Sequence, residues 1–230
     1  TMYALMKNKI KNKLLFLNNQ EDIMGKLNLS VLKFKTYLPH SKSSLSFSSI
    51  SYLLNDVIIN DRKEVIEFGG GISTIYLAKL AITSKKNLKI TTIDHDKNWI
   101  NILTNILKEE ELLEYVNIIH SPLEKSNLSK ENVKWYCESS IKKAIKGVKF
   151  DLVIIDGPIA YTRELEMSRY PALLFINDYL NERNSVFLDD TDRKGEKKII
   201  KLWEDQFGRS FLPLNTTSMI SFKGNYFNIK

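Results

Sequence analysis

What most narrows the fold of this chain is an alternation that begins at residue 64, where short apolar runs take turns with segments of helical periodicity. Extended runs fall at residues 64–68, 89–93, 116–120, 151–155 and 185–188. Helical segments are expected at residues 74–81, 96–113, 165–180 and 194–207, with two further extended runs at 211–214 and 219–222. Leu152, Val153, Ile154 and Ile155 form an unbroken apolar stretch, as a strand buried on both faces requires. Strands alternating with helices build a parallel sheet with helices on both faces and right-handed crossovers. The expectation is an α/β, Rossmann-like fold with a mostly parallel seven-stranded sheet. Ligands of such sheets sit past the carboxyl ends of the strands, so the residues just after each strand matter most.

The turn after the first strand runs Glu67, Phe68, Gly69, Gly70, Gly71, Ile72, Ser73, Thr74. Glycines let the backbone turn tightly and approach a ligand where a Cβ would intrude. The helix that follows offers free N–H groups to a carboxylate. A glycine turn alone is shared with nicotinamide and flavin folds. Two details narrow it. Glu67 stands two positions before the first glycine, placed to receive the amino group of an amino-acid ligand, and Thr74 replaces the third glycine of the dinucleotide fingerprint. The pattern suits a nucleoside bearing an amino acid better than a pyrophosphate, and it disfavours a nicotinamide oxidoreductase. Asp94 ends the second strand, where a carboxylate can accept both ribose hydroxyls. His95 and Trp99 are candidates for the flat wall an adenine ring needs. Trp99 is equally readable as core, and Asp96 as the cap of the next helix.

These residues resemble the first two motifs of class I S-adenosylmethionine-dependent methyltransferases, carried by Glu67 to Thr74 and by Thr92, Ile93, Asp94, His95 and Asp96. The likeness continues through residues 120–123, Trp135 and Tyr136, and residues 150–158, 168–173 and 188–193, and it covers about residues 40–210. The chain resembles a bacterial branch of small-molecule or glycan methyltransferases that is distantly similar to plant glucuronoxylan O-methyltransferases. Residues 1–35 fall outside the likeness. The resemblance implies the class I methyltransferase fold and S-adenosyl-L-methionine as cofactor. It implies that Glu67, Gly69, Gly71 and Ser73 line the methionine end, with Gly70 and Thr74 in the same turn. Asp94 would bind ribose, Ser121, Pro122 and Leu123 would close over the adenine edge, and Asp156 would face the sulfonium and the acceptor.

Methyl transfer to a hydroxyl needs in-line alignment, exclusion of water, and a base or metal to take the acceptor proton. Asp156 follows the fourth strand, and Asp189 and Asp190 follow the fifth. Asp156 and Asp190 are candidate bases, and all three aspartates are candidate ligands for Mg2+. Their ordinary alternative is capping and loop hydrogen bonding. Metal-dependent catechol-type enzymes often carry a histidine or further ligand near this turn, where this chain has Gly157 and Pro158. Arg163, Arg169 and Arg193 either grip a carboxylate or phosphate on the acceptor or pair with Asp189, Asp190 or Asp192. His40 and His120 are expected to be structural.

Charge divides the chain at about residue 60. Of the net +7, residues 1–60 hold eight lysines against Glu21, Asp22 and Asp56, so the remainder is nearly balanced. The expected division is a basic helical extension over residues 1–60 and a cofactor-binding domain over 61–230. Tyr3, Met6, Ile10, Leu14 and Leu17 recur at helical spacing and give the extension an apolar stripe, a possible surface for a homo-oligomer. A basic front segment suits an anionic acceptor, a nucleic acid or a membrane surface, and equally a solvated face. Nucleic acid is disfavoured, because Asp156, Gly157, Pro158 and Ile159 stand where an Asn/Asp-Pro-Pro-Tyr motif would be. Cys137 is the single cysteine, which excludes an internal disulfide and a cysteine-based zinc site. No apolar run approaches the ~20 residues of a membrane span, and lysines break any signal-peptide core, so a cytoplasmic protein is expected. The functional expectation is O-methylation of a sugar, glycan precursor or other small hydroxylated metabolite. Alternatives are a nucleic-acid methyltransferase and a catalytically idle binding module on the same fold.

Overall fold

The computed structural model describes residues 2–130 and 132–230, and in the first helix it describes side chains at Lys7, Lys13, Phe16, Leu17 and from residue 19 onward. Most of the predicted apolar stripe, at Tyr3, Met6, Ile10 and Leu14, therefore lies outside the described side chains, while Leu17 is exposed. Helix α1 spans Met2–Leu29 and α2 spans Phe47–Ile59. Ser46 caps α2 by accepting from the Ser49 N–H at 3.1 Å. Strand β1 (Glu64–Phe68), helix α3 (Ile72–Ser84), strand β2 (Lys89–Asp94), helix α4 (Lys97–Glu109) and strand β3 (Val116–His120) follow in alternation. After these come β4 (Leu123–Glu124), β5 (Trp135–Tyr136), α5 (Glu138–Ala144), β6 (Phe150–Ile155) and α6 (Pro171–Ile176). The chain ends with β7 (Leu180–Leu188), α7 (Lys194–Phe207), β8 (Leu212–Pro213) and β9 (Met219–Lys223).

The main sheet has seven strands in the order β3-β2-β1-β6-β7-β9-β8. Its first five strands are parallel, and β9 runs antiparallel to both β7 and β8. The order reverses between β1 and β6, which opens the crevice at their carboxyl ends. Alternate residues feed two cores. Ile90, Leu152, Ile154 and Phe187 pack with α2, α3 and α4 on one face. Phe68, Ile93, Val153, Ile155 and Leu188 pack with Ile141 of α5, Leu173 of α6 and Trp203 of α7 on the other.

Two expectations need correcting. The stretch 165–180 is not one helix: α6 covers only Pro171–Ile176, flanked by 3-10 turns at Arg163–Leu165 and Asn177–Tyr179. Pro171 cannot donate to a preceding turn, so the helix starts there. Nor is residue 60 a domain boundary. Leu29, Leu32, Leu45, Ile50, Leu53 and Val57 share one core with Val65 and Leu152. Buried Asp56 of α2 binds the Arg62 guanidinium at 3.1 Å and accepts from the Ser185 hydroxyl of β7. Among the described residues no helix is long and apolar enough to cross a membrane.

A candidate cofactor crevice and its acidic rim

Register places the predicted site residues in one row. Phe68 pairs with Ile93 and Ile155, and Ile155 with Leu188, so Asp94, Gly69, Asp156 and Asp189 emerge side by side from β2, β1, β6 and β7. The backbone ladder runs one residue past the strands to hold them there. Gly69 donates to the Ile93 carbonyl at 2.9 Å, Asp156 to Phe68 at 2.9 Å, and Asp189 to Ile155 at 3.1 Å. Gly69 has φ 94°, and a Cβ on it would lie 2.8 Å from the Gly157 nitrogen, so the two turns touch backbone to backbone. Gly71 differs: a Cβ there would meet nothing within 4 Å. Its open face, at the start of α3, is where a ligand can approach the helix N-terminus.

Glu67 does not face this opening, contrary to the sequence expectation. It lies fully buried beneath the turn, where the hydroxyls of Ser73, Thr74 and Thr92 all donate to its carboxylate. Burial pushes its pKa up to about 7, against the pull of those hydroxyls. Ser73 and Thr74 are therefore engaged below the turn and do not present their hydroxyls to the crevice. The physical reason is strand alternation, which turns Glu67 away from the side taken by Phe68 and Ile66. Thr74 also accepts from the Gly71 N–H at 3.0 Å, so Glu67 acts as the brace of the glycine turn.

Asp94 sits at the crevice edge with 8% exposure. Its Oδ1 accepts from the Asp96 N–H at 2.8 Å, and His95 Nδ1 lies 3.4 Å away. Burial raises its pKa, partly offset by the Asp96 N–H. Asp96 caps α4, accepting from Asn98 at 2.8 Å and Trp99 at 3.2 Å. Trp99 is half-buried and donates its indole N–H to the Gly70 carbonyl at 2.6 Å, so the first turn of α4 pins the glycine turn of α3. Ser121 is buried and donates to the Cys137 carbonyl at 3.1 Å, fixing the loop after β3 to α5 instead of offering a hydroxyl to a ligand. Pro122 is exposed and Leu123 half-buried beside it.

The acidic rim is denser than the sequence suggested. One carboxylate oxygen from each of Asp156, Asp189 and Asp190 lies within 4.8 Å of the others. Arg169, 3% exposed, enters this cluster from the loop before α6. Its Nη2 reaches Asp156 Oδ1 at 3.2 Å and Asp190 Oδ2 at 2.9 Å, and its Nη1 donates to the Asp189 carbonyl at 3.2 Å. Arg193 holds the other Asp190 oxygen at 2.7 Å. Arg169 thus offsets part of the rim's negative charge and is too deeply buried to grip an acceptor. Burial and then the Asp189 charge drive the Asp156 pKa well above its usual value. Burial and then Asp190 push Asp189 up to about 7. Against the cost of burial, Asp156, Asp190 and Glu196 hold the Arg169 pKa above its usual value.

Two residues that the sequence reading did not place at the site belong to it. Glu196 of α7 is fully buried 3.8 Å from Arg169 Nη1, with no hydrogen-bond partner among the described residues. Tyr136 is fully buried, and a Cβ on Gly157 would lie 2.5 Å from its hydroxyl, which has no partner among the described residues. A cavity of about 580 Å³ opens beside Arg193, lined also by Tyr161, Thr162, Arg163, Glu166 and Lys194.

No family profile matches the chain. No curated protein matches it either. Solved structures do. The chain is 14% identical to the SAH-bound methyltransferase PaMTH1 from Podospora anserina, with 87% of this chain and 88% of that one covered at a TM-score of 0.62. It is 11% identical to the O-methyltransferase TomG from Streptomyces achromogenes, in complex with SAM, over 90% of this chain and 99% of that one at a TM-score of 0.59. An O-methyltransferase from Bacillus cereus in complex with SAH is 15% identical, over 89% and 91% of the two chains, at a TM-score of 0.57. The chain has the Rossmann-like class I methyltransferase fold.

Proposed function

We propose that the chain is an S-adenosylmethionine-dependent O-methyltransferase acting on a small hydroxylated acceptor such as a sugar or glycan precursor. The observation that carries this reading is the row of strand ends, which sets an open glycine turn and the Asp94 carboxylate beside an acidic rim. Gly71 leaves the space that a methionine carboxylate would fill, and Asp94 stands where ribose hydroxyls would be received. The cofactor, when bound, supplies an already activated methyl group. The chain's part is to align the acceptor, exclude water and take one proton.

The 580 Å³ cavity adjoins the rim through Arg193, which holds Asp190, so Tyr161, Thr162 and Glu166 can hydrogen-bond the outer hydroxyls of an acceptor whose reacting oxygen lies at the rim, and Arg163 and Lys194 add positive charge. As the acceptor oxygen bonds the methyl carbon and the carbon–sulfur bond breaks, the acceptor proton passes to Asp156. Asp190 is less suited, because Arg169 and Arg193 hold both of its oxygens. A raised proton affinity makes Asp156, once ionised, a stronger base than a carboxylate in water. Arg169 orients that carboxylate and keeps the cluster from repelling itself.

The donor set also fits a divalent cation. Asp189 Oδ1 is buried and has no hydrogen-bond partner among the described residues, and four carboxylates (Asp156, Asp189, Asp190, Glu196) face two guanidiniums. Asp156, Asp189 and Asp190 would hold Mg2+, which supplies hard Lewis-acid charge and lowers the pKa of a nearby hydroxyl. Labelled methyl transfer to a panel of sugars and small hydroxylated acceptors tests the function, run with EDTA and again after adding Mg2+. Turnover that survives chelation and is lost in Asp156→Asn leaves the aspartate as base without metal. Tight NAD binding with no calorimetric response to S-adenosylhomocysteine would overturn the reading.

A further inference from the structure

Arg209 lies at the end of the sheet opposite the crevice. Strands β7 and β9 pair Leu188 with Met219 at the crevice end and Asn184 with Lys223 at the other, roughly 13 Å away at the rise of a β-strand. Arg209 follows Gly208, the left-handed C-cap of α7, and is 6% exposed. Its Nε donates to Ser221 Oγ at 3.2 Å, and its Nη2 donates to Asn184 Oδ1 at 2.8 Å and the Ser221 carbonyl at 3.3 Å. All three acceptors are neutral. The two other deeply buried arginines have carboxylates against them: Asp56 for Arg62, and Asp156 and Asp190 for Arg169. Burial alone lowers the Arg209 pKa, to about 10, so it is still a cation at neutral pH. A buried charge without a counter-charge is costly, and the protein holds this one in place with neutral groups only.

Arg209 also lines a cavity of about 340 Å³, together with Phe207, Ser210, Leu212, Phe222, Lys223 and Tyr226. Phe222 and Tyr226 stack on each other, ring centroids 4.1 Å apart and 6° from parallel. The Arg209 Nη1 donates to no oxygen of the described residues, which leaves its two N–H groups for an occupant. A concave site that sets aromatic and aliphatic faces beside a few fixed polar groups can hold a small molecule.

We infer that this cavity binds a small planar monoanion, an aromatic carboxylate, with its charge on Arg209 and Lys223 and its ring against Phe222, Tyr226 and Leu212. One deep, uncompensated cation matches one negative charge. The lining mixes polar groups with the apolar faces of Phe207, Leu212, Phe222 and Tyr226, and a ring would cover those faces where an inorganic anion would leave them in contact with water. The site is independent of the proposed methyl transfer, since none of its residues lies at the crevice.

Calorimetric titration of the purified full chain with benzoate tests this, using benzamide as the neutral twin and inorganic phosphate as the ringless anion. The expected result is saturable one-site binding of benzoate, at least about tenfold tighter than either control. Arg209→Gln should abolish the binding. Because that substitution sits in a buried hydrogen-bond network, the exposed Lys223→Glu provides a second arm that leaves the core untouched, and it should weaken benzoate by about tenfold. Benzamide or phosphate binding as tightly as benzoate would overturn the proposal, and so would unchanged benzoate affinity in Lys223→Glu.

Discussion

Glu67 and Asp94 leave neighbouring strands at the same end of the sheet, yet their surroundings separate their tasks. Glu67 is enclosed by three donating hydroxyls, while Asp94 keeps part of its carboxylate at the crevice. Glu67→Gln retains an acceptor oxygen toward hydroxyls that can rotate to suit it. Its affinity for S-adenosylhomocysteine, read by calorimetry, is expected to stay within about threefold of the parent. A loss beyond about tenfold would put the carboxylate in contact with the ligand. Asp94→Ala removes an ionised acceptor for buried hydroxyls and should weaken the same binding by about 1.5–3 kcal/mol with the fold intact. Unchanged affinity there would mean that ribose is held elsewhere. The aspartates at strand ends were legible because a strand end in this fold is a fixed place. Arg169 was legible as a partner of these aspartates, but Glu196 and Tyr136 were not assigned to the site, because a helix and a short strand distant in sequence deliver them, and only packing brings them together.

At the scale of elements, alternation of apolar runs located every parallel strand, and the errors cluster where a local signal misleads. The pair β4–β5 joins Leu123 to Tyr136 and Glu124 to Trp135, two residues on each side, too short to show a period. Residues 165–180 look helical by composition, but Pro171 and the turns on either side divide them. The contact between the β1 and β6 turns is another feature that no periodicity reveals. A Cβ on Gly157 would lie 2.5 Å from the Tyr136 hydroxyl and 2.9 Å from Gly69 Cα, so the two turns and β5 close on that glycine from both sides. Gly157→Ala is therefore expected to destabilise the chain by about 1–3 kcal/mol and to weaken cofactor binding by displacing the Gly69 turn. Denaturant unfolding and calorimetry check the two effects together. A variant with parental stability and affinity would show that the turns can separate freely.

For the whole molecule, the raised carboxylates set a direction for stability against pH. Glu67 and Glu196 are both fully buried, and burial is the leading cause that lifts each to about 7. In the unfolded chain both would titrate near about 4.3. Between those values the folded state binds more protons than the unfolded one, so stability falls as pH rises. The contribution is complete below the unfolded pKa and is lost by the time pH passes about 7. Asp61, Glu110, Glu111 and Glu164 act in the other direction, but their pKa values are lowered, so their effect is confined to more acidic conditions. The two trends together put the stability maximum near about pH 5, with a decline toward pH 8 of at most about 1.4 kcal/mol per pH unit for each buried glutamate. Thermal unfolding across that range, in EDTA to keep cations out, is the measurement. Glu67→Gln should remove its own share of the slope, leaving the variant flatter than the parent and relatively more stable at pH 8. A melting temperature that climbs steadily from pH 5 to pH 8 would mean that these carboxylates are ionised inside the fold, and the brace assigned to Glu67 would then have to be a charged one.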